Sequence, residues 1–381
     1  MTKYIKILLF SLYLVYDSQG IIYRRGTIVS QSVLFLILLI SSIYLLKTFL
    51  LKNPKEPFVI AWTSFLLLNV IGFIFTGNIS DQKHFIMLKE ILVCSLSFYP
   101  FYYFSFRGQL DKNDLLAFFV IMLVIQILQF FINRNEILSA GLFFSENVVN
   151  NIAYRFVALF PFIFLFQKKK LLSSIMTVII LFFVTYGSKR GAFLAAMIIL
   201  ICFIFYKIKT NDSKNSISAF LSNTVFIAII LIILNKFYLQ NQYLKYRLSS
   251  LAQGNTSGRI MIYSNLLNNW INSNIFYKIF GHGFAASVTI SGINDYAHSD
   301  WLELLSNFGV FGIIIYIILF YNGIRLAFNK NWNWDKRILA ATIIIAGFVI
   351  SLFSMWYTSL GTYLYSMILA YLIGSRSSSI S

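Results

Sequence analysis

Charge is scarce in this sequence. Only 12 % of its 381 residues are Asp, Glu, Lys or Arg, while 59 % are hydrophobic and the mean hydropathy is +0.76. A water-soluble domain of this length is excluded, because it would have too few charges to face water. Cysteine is nearly absent as well. Cys94 and Cys202 both fall inside apolar runs, which excludes a disulfide framework and a thiolate metal cage. Histidine occurs three times, at His84, His282 and His298. There is no internal repeat, and no low-complexity tract apart from the short tail "SRSSSIS". The opening "MTKYIKILLFSLYLVYDSQG" lacks a small-x-small cleavage site, so it reads as a retained first helix rather than a signal peptide.

What the sequence does have is apolar runs of about 20 residues, the length a hydrocarbon core of ~30 Å demands. They are continuous rather than alternating, so the spans are helices and not barrel strands. Twelve spans are expected, near 5–16, 27–50, 57–76, 85–106, 114–132, 150–166, 171–187, 190–208, 218–239, 300–325, 338–355 and 358–374. The expected fold is an all-α polytopic membrane protein, with residues 1–381 forming a single transmembrane domain. The breaks "LKNPKEP", "RGQLDKND", "QKKK", "KIKTNDSKN" and "NKNWNWDKR" alternate with breaks much poorer in Lys and Arg. The positive-inside rule puts these five in the cytoplasm with Lys3 and Lys6. Both termini are then cytoplasmic, which an even span number satisfies. This placement accounts for the net charge of +18 without a nucleic-acid partner.

The longest connection, residues 240–299, falls on the outer, periplasmic face within that domain. Its stretch 257–272, "SGRIMIYSNLLNNWIN", opens on a serine suited to helix capping. Apolar residues follow at 260, 263, 267, 270 and 271, with 262 and 266 beside them. Such a helix lies in the interface plane with one face in lipid, making membrane lipids a partner. The glycines of the following "FGHGF" permit a tight turn.

Several ionisable residues stand where topology disfavours them. Arg190, in "YGSKRGAFLAAM", is at the outer end of the eighth span, where a cation also opposes the helix dipole. It is either a snorkelling arginine at headgroup level or a phosphate clamp, since a guanidinium fork matches phosphate oxygens at two points. Gly191, Ala192, Ala195 and Ala196 follow at small-xxx-small spacing, which admits a closely packed helix. Arg259 opens the interfacial helix and serves either lipid headgroups or a ligand. Two arginines at the membrane surface suit a ligand carrying two phosphates.

His298 directly precedes Ser299, which can cap the tenth helix, and Asp300 and Glu303 in its first turn. The positive end of the dipole favours neutral imidazole, a usable base; the alternative is a structural histidine bonded to a loop carbonyl. His282, in a glycine turn, and His84, at a helix entrance, are blander. Asp295, His298 and Asp300 offer three donors as D-x-x-H-x-D, which matches no firm metal-ligand signature. Lys89 and Glu90 lie about one turn below the outer face and Arg155 starts the sixth span. Intramembrane ionisable residues are functional candidates, although Lys89 and Glu90 can simply neutralise each other. Asp17, in the first outer loop, ranks after them.

Together these stretches resemble the O-antigen ligase and polymerase superfamily. The resemblance rests on the arginine in "SKRGA", the "SGR" arginine followed by Trp270, the turn "IFGHGF" and the run "HSDWLELLSNFGVFG", and covers roughly residues 150–325. The family usually has asparagine after the histidine and tyrosine where Trp301 stands, so Ser299 and Trp301 depart from its pattern. The resemblance implies a GT-C-like glycosyltransferase of the bacterial inner membrane with its active site on the periplasmic face. Its donor would be a glycan on undecaprenyl pyrophosphate and its acceptor a second glycan. Arg190 and Arg259 would bind the pyrophosphate and act with His298 in catalysis, His298 deprotonating or orienting the attacking hydroxyl. Arg155, Lys89, Asp300 and Trp301 are further candidates for substrate binding. No cofactor or metal is expected. A polymerase of lipid-linked repeat units, with a possible chain-length regulator as partner, is the first reading. A ligase that moves the finished glycan to a lipid A core or other acceptor is second. A flippase or transporter is third, and would place charged or broken helices at the bilayer midplane.

Overall fold

The computed structural model describes residues 2–21, 26–50, 56–133, 151–166, 169–187, 189–210, 259–359 and 361–377, with scattered positions between 224 and 249. Its regular elements are helices throughout, as expected where no water can satisfy a free backbone. In chain order they are α1 (Thr2–Asp17), α2 (Ile28–Phe49), α3 (Pro57–Thr76), α4 (Gln82–Leu96), α5 (Phe98–Phe106) and α6 (Lys112–Ile132). Next come α7 (Ile152–Leu159), which continues as a 3₁₀ turn (Phe160–Leu165), α8 (Lys170–Tyr186) and α9 (Arg190–Lys209). The last six are α10 (Arg259–Asn272), α11 (Ile275–Phe280), α12 (Ala286–Ile290), α13 (Asp300–Ala327), α14 (Trp334–Phe353) and α15 (Thr362–Ser377).

Seven described helices are long and apolar enough to cross a membrane, α4 and α5 counting as one; Ile152–Leu165, Leu171–Tyr186 and Thr362–Ser375 are shorter apolar helices. This is the architecture of a polytopic membrane protein. The other expected spans fall on these shorter helices and on α1, except 218–239, most of which lies outside the described residues.

Two expected continuous spans are interrupted by proline. Pro100 has no N–H and its ring collides with the carbonyl four residues back, so α4 stops at Leu96 and α5 restarts at Phe98. The neighbouring Ser95 carbonyl accepts the Trp62 indole N–H at 2.9 Å. Pro161 likewise converts α7 into its 3₁₀ turn, and the Val157 carbonyl accepts the Tyr365 hydroxyl at 3.2 Å. In both places an aromatic donor from another helix occupies a carbonyl near the break, which ties the bundle together.

The tenth expected span, 300–325, is two pieces. Gly309 leaves helical geometry (φ 62°, ψ −155°) inside α13. The part beyond it, 310–327, has roughly 18 residues and about 27 Å of rise, enough to cross the hydrocarbon by itself. The part before it, 300–308, folds back along that span, with Asp300 on the Tyr316 hydroxyl at 2.6 Å and the Trp301 ring 5.2 Å from Tyr316 and 6.2 Å from Phe320. The backbone of α11 packs into the break, since a Cβ on Gly309 would lie 2.5 Å from the Ile279 carbonyl. Free carbonyls in the break find donors in the glycine turn: His282 N–H to Ser306 O at 2.9 Å and Gly283 N–H to Asn307 O at 3.0 Å.

Basic side chains gather at one end of the bundle. Lys6 pairs with Asp114 at 2.5 Å, Lys207 donates to Ser174 at 2.7 Å, Lys336 donates to Ser375 at 2.9 Å, and Lys209 lies over the Trp334 ring at 4.3 Å. The antiparallel trace puts the ends of α1, α3 and α14 and the starts of α4, α7, α9 and α13 at the opposite end.

Candidate functional site

At that opposite end the chain brings Arg190, Arg259 and His298 together through two tyrosines. Arg190 starts α9, which packs against α14 and α7 with Ala192, Ala195 and Ala196 fully buried. Gly191 makes one of these approaches possible, because a Cβ there would lie 2.3 Å from the Tyr154 hydroxyl. Tyr154 interacts with the Ser354 side chain and is within electrostatic reach of both the Arg190 and Arg259 guanidinium groups. Arg259 donates from Nη1 to the Phe353 carbonyl, next to Ser354, at 2.6 Å. One turn along α10, Tyr263 donates to the His298 carbonyl at 3.4 Å. Burial pushes the Tyr263 phenol up, and Arg259 pulls it partly back.

The expected lipid face of α10 is therefore rotated. Ile262 and Leu266 are the buried pair, packed with Ala297, and Tyr263 turns inward with them. Trp270 is half-buried and donates to the Lys278 carbonyl at 3.1 Å. Ile260, Met261, Leu267 and Ile271 form the exposed apolar face. Ser257, the expected cap, lies outside the described residues.

His298 sits in the left-handed region (φ 55°), a conformation that costs a residue with a side chain on the order of 1–2 kcal/mol. The preceding Ala297 N–H, bonded to buried Glu303 at 2.9 Å, and the Tyr263 contact hold it there. Its Nε2 is 3.5 Å from Asp295 Oδ2, with 38 % of the His298 side chain and 43 % of the Asp295 side chain exposed. The hydrogen bond to His298 holds the Asp295 carboxyl below the usual carboxylate range, helped by the Tyr296 N–H and by Lys83. Lys83 Nζ, from the first turn of α4, is 3.8 Å from Asp295 Oδ1.

Ser299 occupies the cap position of α13 without making the expected side-chain cap; its hydroxyl donates to the Ser351 carbonyl at 3.4 Å instead. Asp300 and Glu303 do occupy the first turn, but both are completely buried. Asp300 accepts the Tyr316 hydroxyl at 2.6 Å and the Trp356 N–H at 3.0 Å, tying α13 to the chain after α14. Glu303 accepts from Ser287 and from Asn307, the latter at 3.1 Å, fixing α12. Trp301 is half-buried, with its indole N–H on the Ser351 hydroxyl at 3.0 Å. Because Asp300 turns inward, the three donors of D-x-x-H-x-D do not converge. Among the described residues no group of three His, Cys, Asp or Glu side chains is placed to hold a metal ion.

Arg155 belongs to a different cluster. Its Nη1 lies 2.7 Å from Gln129 Oε1 and 3.3 Å from Asp17 Oδ1, with only 13 % and 6 % of the Arg155 and Asp17 side chains exposed. Tyr363 donates to the other Asp17 oxygen. Lys89 and Glu90 are half-buried on α4; Lys89 makes no ion pair among the described residues, and Glu90 is within electrostatic reach of Tyr296. His84 accepts the Asn78 N–H at 3.2 Å, and His282 stacks on Tyr277 at 4.6 Å beside the Ser273 hydroxyl. Both serve local turns. Reading the sequence missed Tyr154, Tyr263 and Lys83, whose roles depend on contacts between distant segments.

Residues 175–317 match the family model described as O-antigen ligase. That match supports the resemblance to the O-antigen ligase and polymerase superfamily. The matched segment contains Arg190, Arg259, His298, Asp300 and Trp301, whereas Asp17, Lys89 and Arg155 precede it. No curated protein matches the chain.

Proposed function

We propose that the chain is a glycosyltransferase that joins repeat units carried on undecaprenyl pyrophosphate into a surface polysaccharide, on the outer face of the bacterial inner membrane. The observation that carries this reading is the line Arg190–Tyr154–Arg259–Tyr263–His298 at the end of the bundle opposite the basic loops. In the reaction an acceptor hydroxyl oxygen bonds to the anomeric carbon of the donor sugar. The bond from that carbon to the pyrophosphate oxygen breaks, its electron pair leaves with the lipid pyrophosphate, and the hydroxyl proton passes to the His298 imidazole. Two guanidinium groups neutralise the departing pyrophosphate. The half-exposed His298 is open to a water-soluble sugar, and the exposed apolar side of α10 suits the membrane surface where the carrier lies.

In this reading Arg155 and Asp300 hold the walls of the site, since their charged groups are committed to Asp17 and to Trp356 with Tyr316. A ligase acting on a lipid A core or other acceptor is the second reading, favoured by the description of the matched family. The transporter reading is less well supported. The broken helix α13 has its break at the end of the bundle, with a full membrane thickness still to run, and not at mid-depth.

The test is the glycan pattern of a strain lacking this chain. A polymerase predicts loss of the polymer ladder with a single repeat unit kept on the core. Polymer stranded on its lipid carrier assigns the ligase, and an unchanged ladder contradicts both.

A further inference from the structure

Residues 291–298 are docked on the first turn of α4 in a way that reaches His298, and this feature goes beyond the roles assigned above. Asp81 caps α4 by accepting the Lys83 N–H at 2.8 Å, so the Lys83 backbone is fixed. The Lys83 carbonyl accepts the Tyr296 hydroxyl at 2.8 Å, and the Lys83 ammonium faces both the Tyr296 ring at 5.9 Å and Asp295 Oδ1 at 3.8 Å. Asp295 Oδ1 also accepts the Tyr296 N–H at 2.9 Å, while the Asp295 N–H is held by the Ser291 hydroxyl at 3.1 Å. One carboxylate oxygen thus accepts a backbone N–H and faces the Lys83 ammonium. The other, Oδ2, faces His298 Nε2 at 3.5 Å.

We propose that Asp295, anchored by Lys83, is the positioning residue of His298. The proposal rests on His298 acting as the base. An imidazole that gives its Nε2 hydrogen to a carboxylate keeps its lone pair on Nδ1, and that nitrogen takes the proton from the acceptor hydroxyl. The imidazolium formed in that step then faces a carboxylate, which stabilises it as the donor bond breaks. A spacing of 3.5 Å is longer than a mature hydrogen bond; such contacts tighten when the reacting groups are bound. The left-handed backbone of His298 supports the assignment, since neighbouring bonds maintain a disfavoured conformation at the residue facing the carboxylate.

A surface ion pair with no part in the chemistry would behave otherwise. Asp295 is 43 % exposed, so a merely structural pair contributes little to stability and leaves turnover per folded molecule unchanged. The experiment compares Asp295→Asn, Asp295→Glu, His298→Ala and the double variant Asp295→Asn/His298→Ala, each normalised to monodisperse purified protein turning over a lipid-linked oligosaccharide. Asp295→Asn is expected to lower kcat at least about 10-fold with donor KM little changed, and Asp295→Glu to recover part of it. The double variant is expected to be no slower than His298→Ala, because Asp295 acts through His298. Multiplying losses in the double variant, or wild-type kcat in Asp295→Asn beside an inactive His298→Ala, overturn the Asp295 role and leave the base reading standing. An active His298→Ala removes the base reading and the Asp295 role with it.

Discussion

Two polar clusters occupy the same end of the bundle, and they treat their charges differently. In the first, Arg155, Asp17, Gln129 and Tyr363 are enclosed by α1, α6, α7 and α15, and the guanidinium is matched to a carboxylate inside the protein. In the second, Arg259, Asp295 and His298 stand at the surface, and among the described residues the Arg259 guanidinium donates to a neutral carbonyl. Two buried charges must neutralise one another, because desolvation leaves them no alternative. Charges that keep part of their hydration remain available to a ligand, and give little stability while they wait. An arginine near the start of a helix therefore says little about its use until its partner is known.

The contrast predicts opposite outcomes for two alanine variants. Arg155→Ala leaves Asp17 buried without its cation, a loss of roughly 3–5 kcal/mol, so little folded, monodisperse protein is expected after detergent extraction. Arg259→Ala is expected to give a normal yield while donor binding and turnover both fall, since the proposed donor carries its pyrophosphate in the ground state and in the transition state. Normal yield with lost donor binding in Arg155→Ala would merge the two clusters into one site.

A smaller effect sharpens the boundary between them at Tyr154, the neighbour of Arg155. Gly191→Ala would improve helix propensity, yet its Cβ collides with the Tyr154 hydroxyl, so turnover should fall. Tyr154→Phe removes the colliding oxygen. Turnover of Gly191→Ala/Tyr154→Phe is therefore expected to return to the level of Tyr154→Phe alone. If the double variant is slower than Gly191→Ala, the close approach of Gly191 and Tyr154 is not what matters there.

The sequence made part of this arrangement legible. Apolar run length located the helices, and arginines against the charge bias stood out at 190 and 259. The breaks were harder to read, because "NFGVFG" is apolar enough to continue a span; only the backbone of α11, packed into Gly309, shows why glycine is required. Asp300 and Glu303 occupied the expected first turn, but the partners that bury them lie on other elements, such as Trp356 and Ser287. The pairing of Lys83 with Asp295 joins segments more than two hundred residues apart, and no local pattern encodes it.

The central claim is that His298 takes the acceptor proton while the arginines hold the pyrophosphate. Its most direct measurement is the turnover of His298→Ala on a lipid-linked oligosaccharide, normalised to monodisperse protein, with donor affinity measured in parallel. The account predicts a loss of roughly 10²–10⁴-fold in turnover with donor affinity little changed. Near-wild-type turnover per folded molecule would contradict it and leave His298 a structural part of the loop before α13.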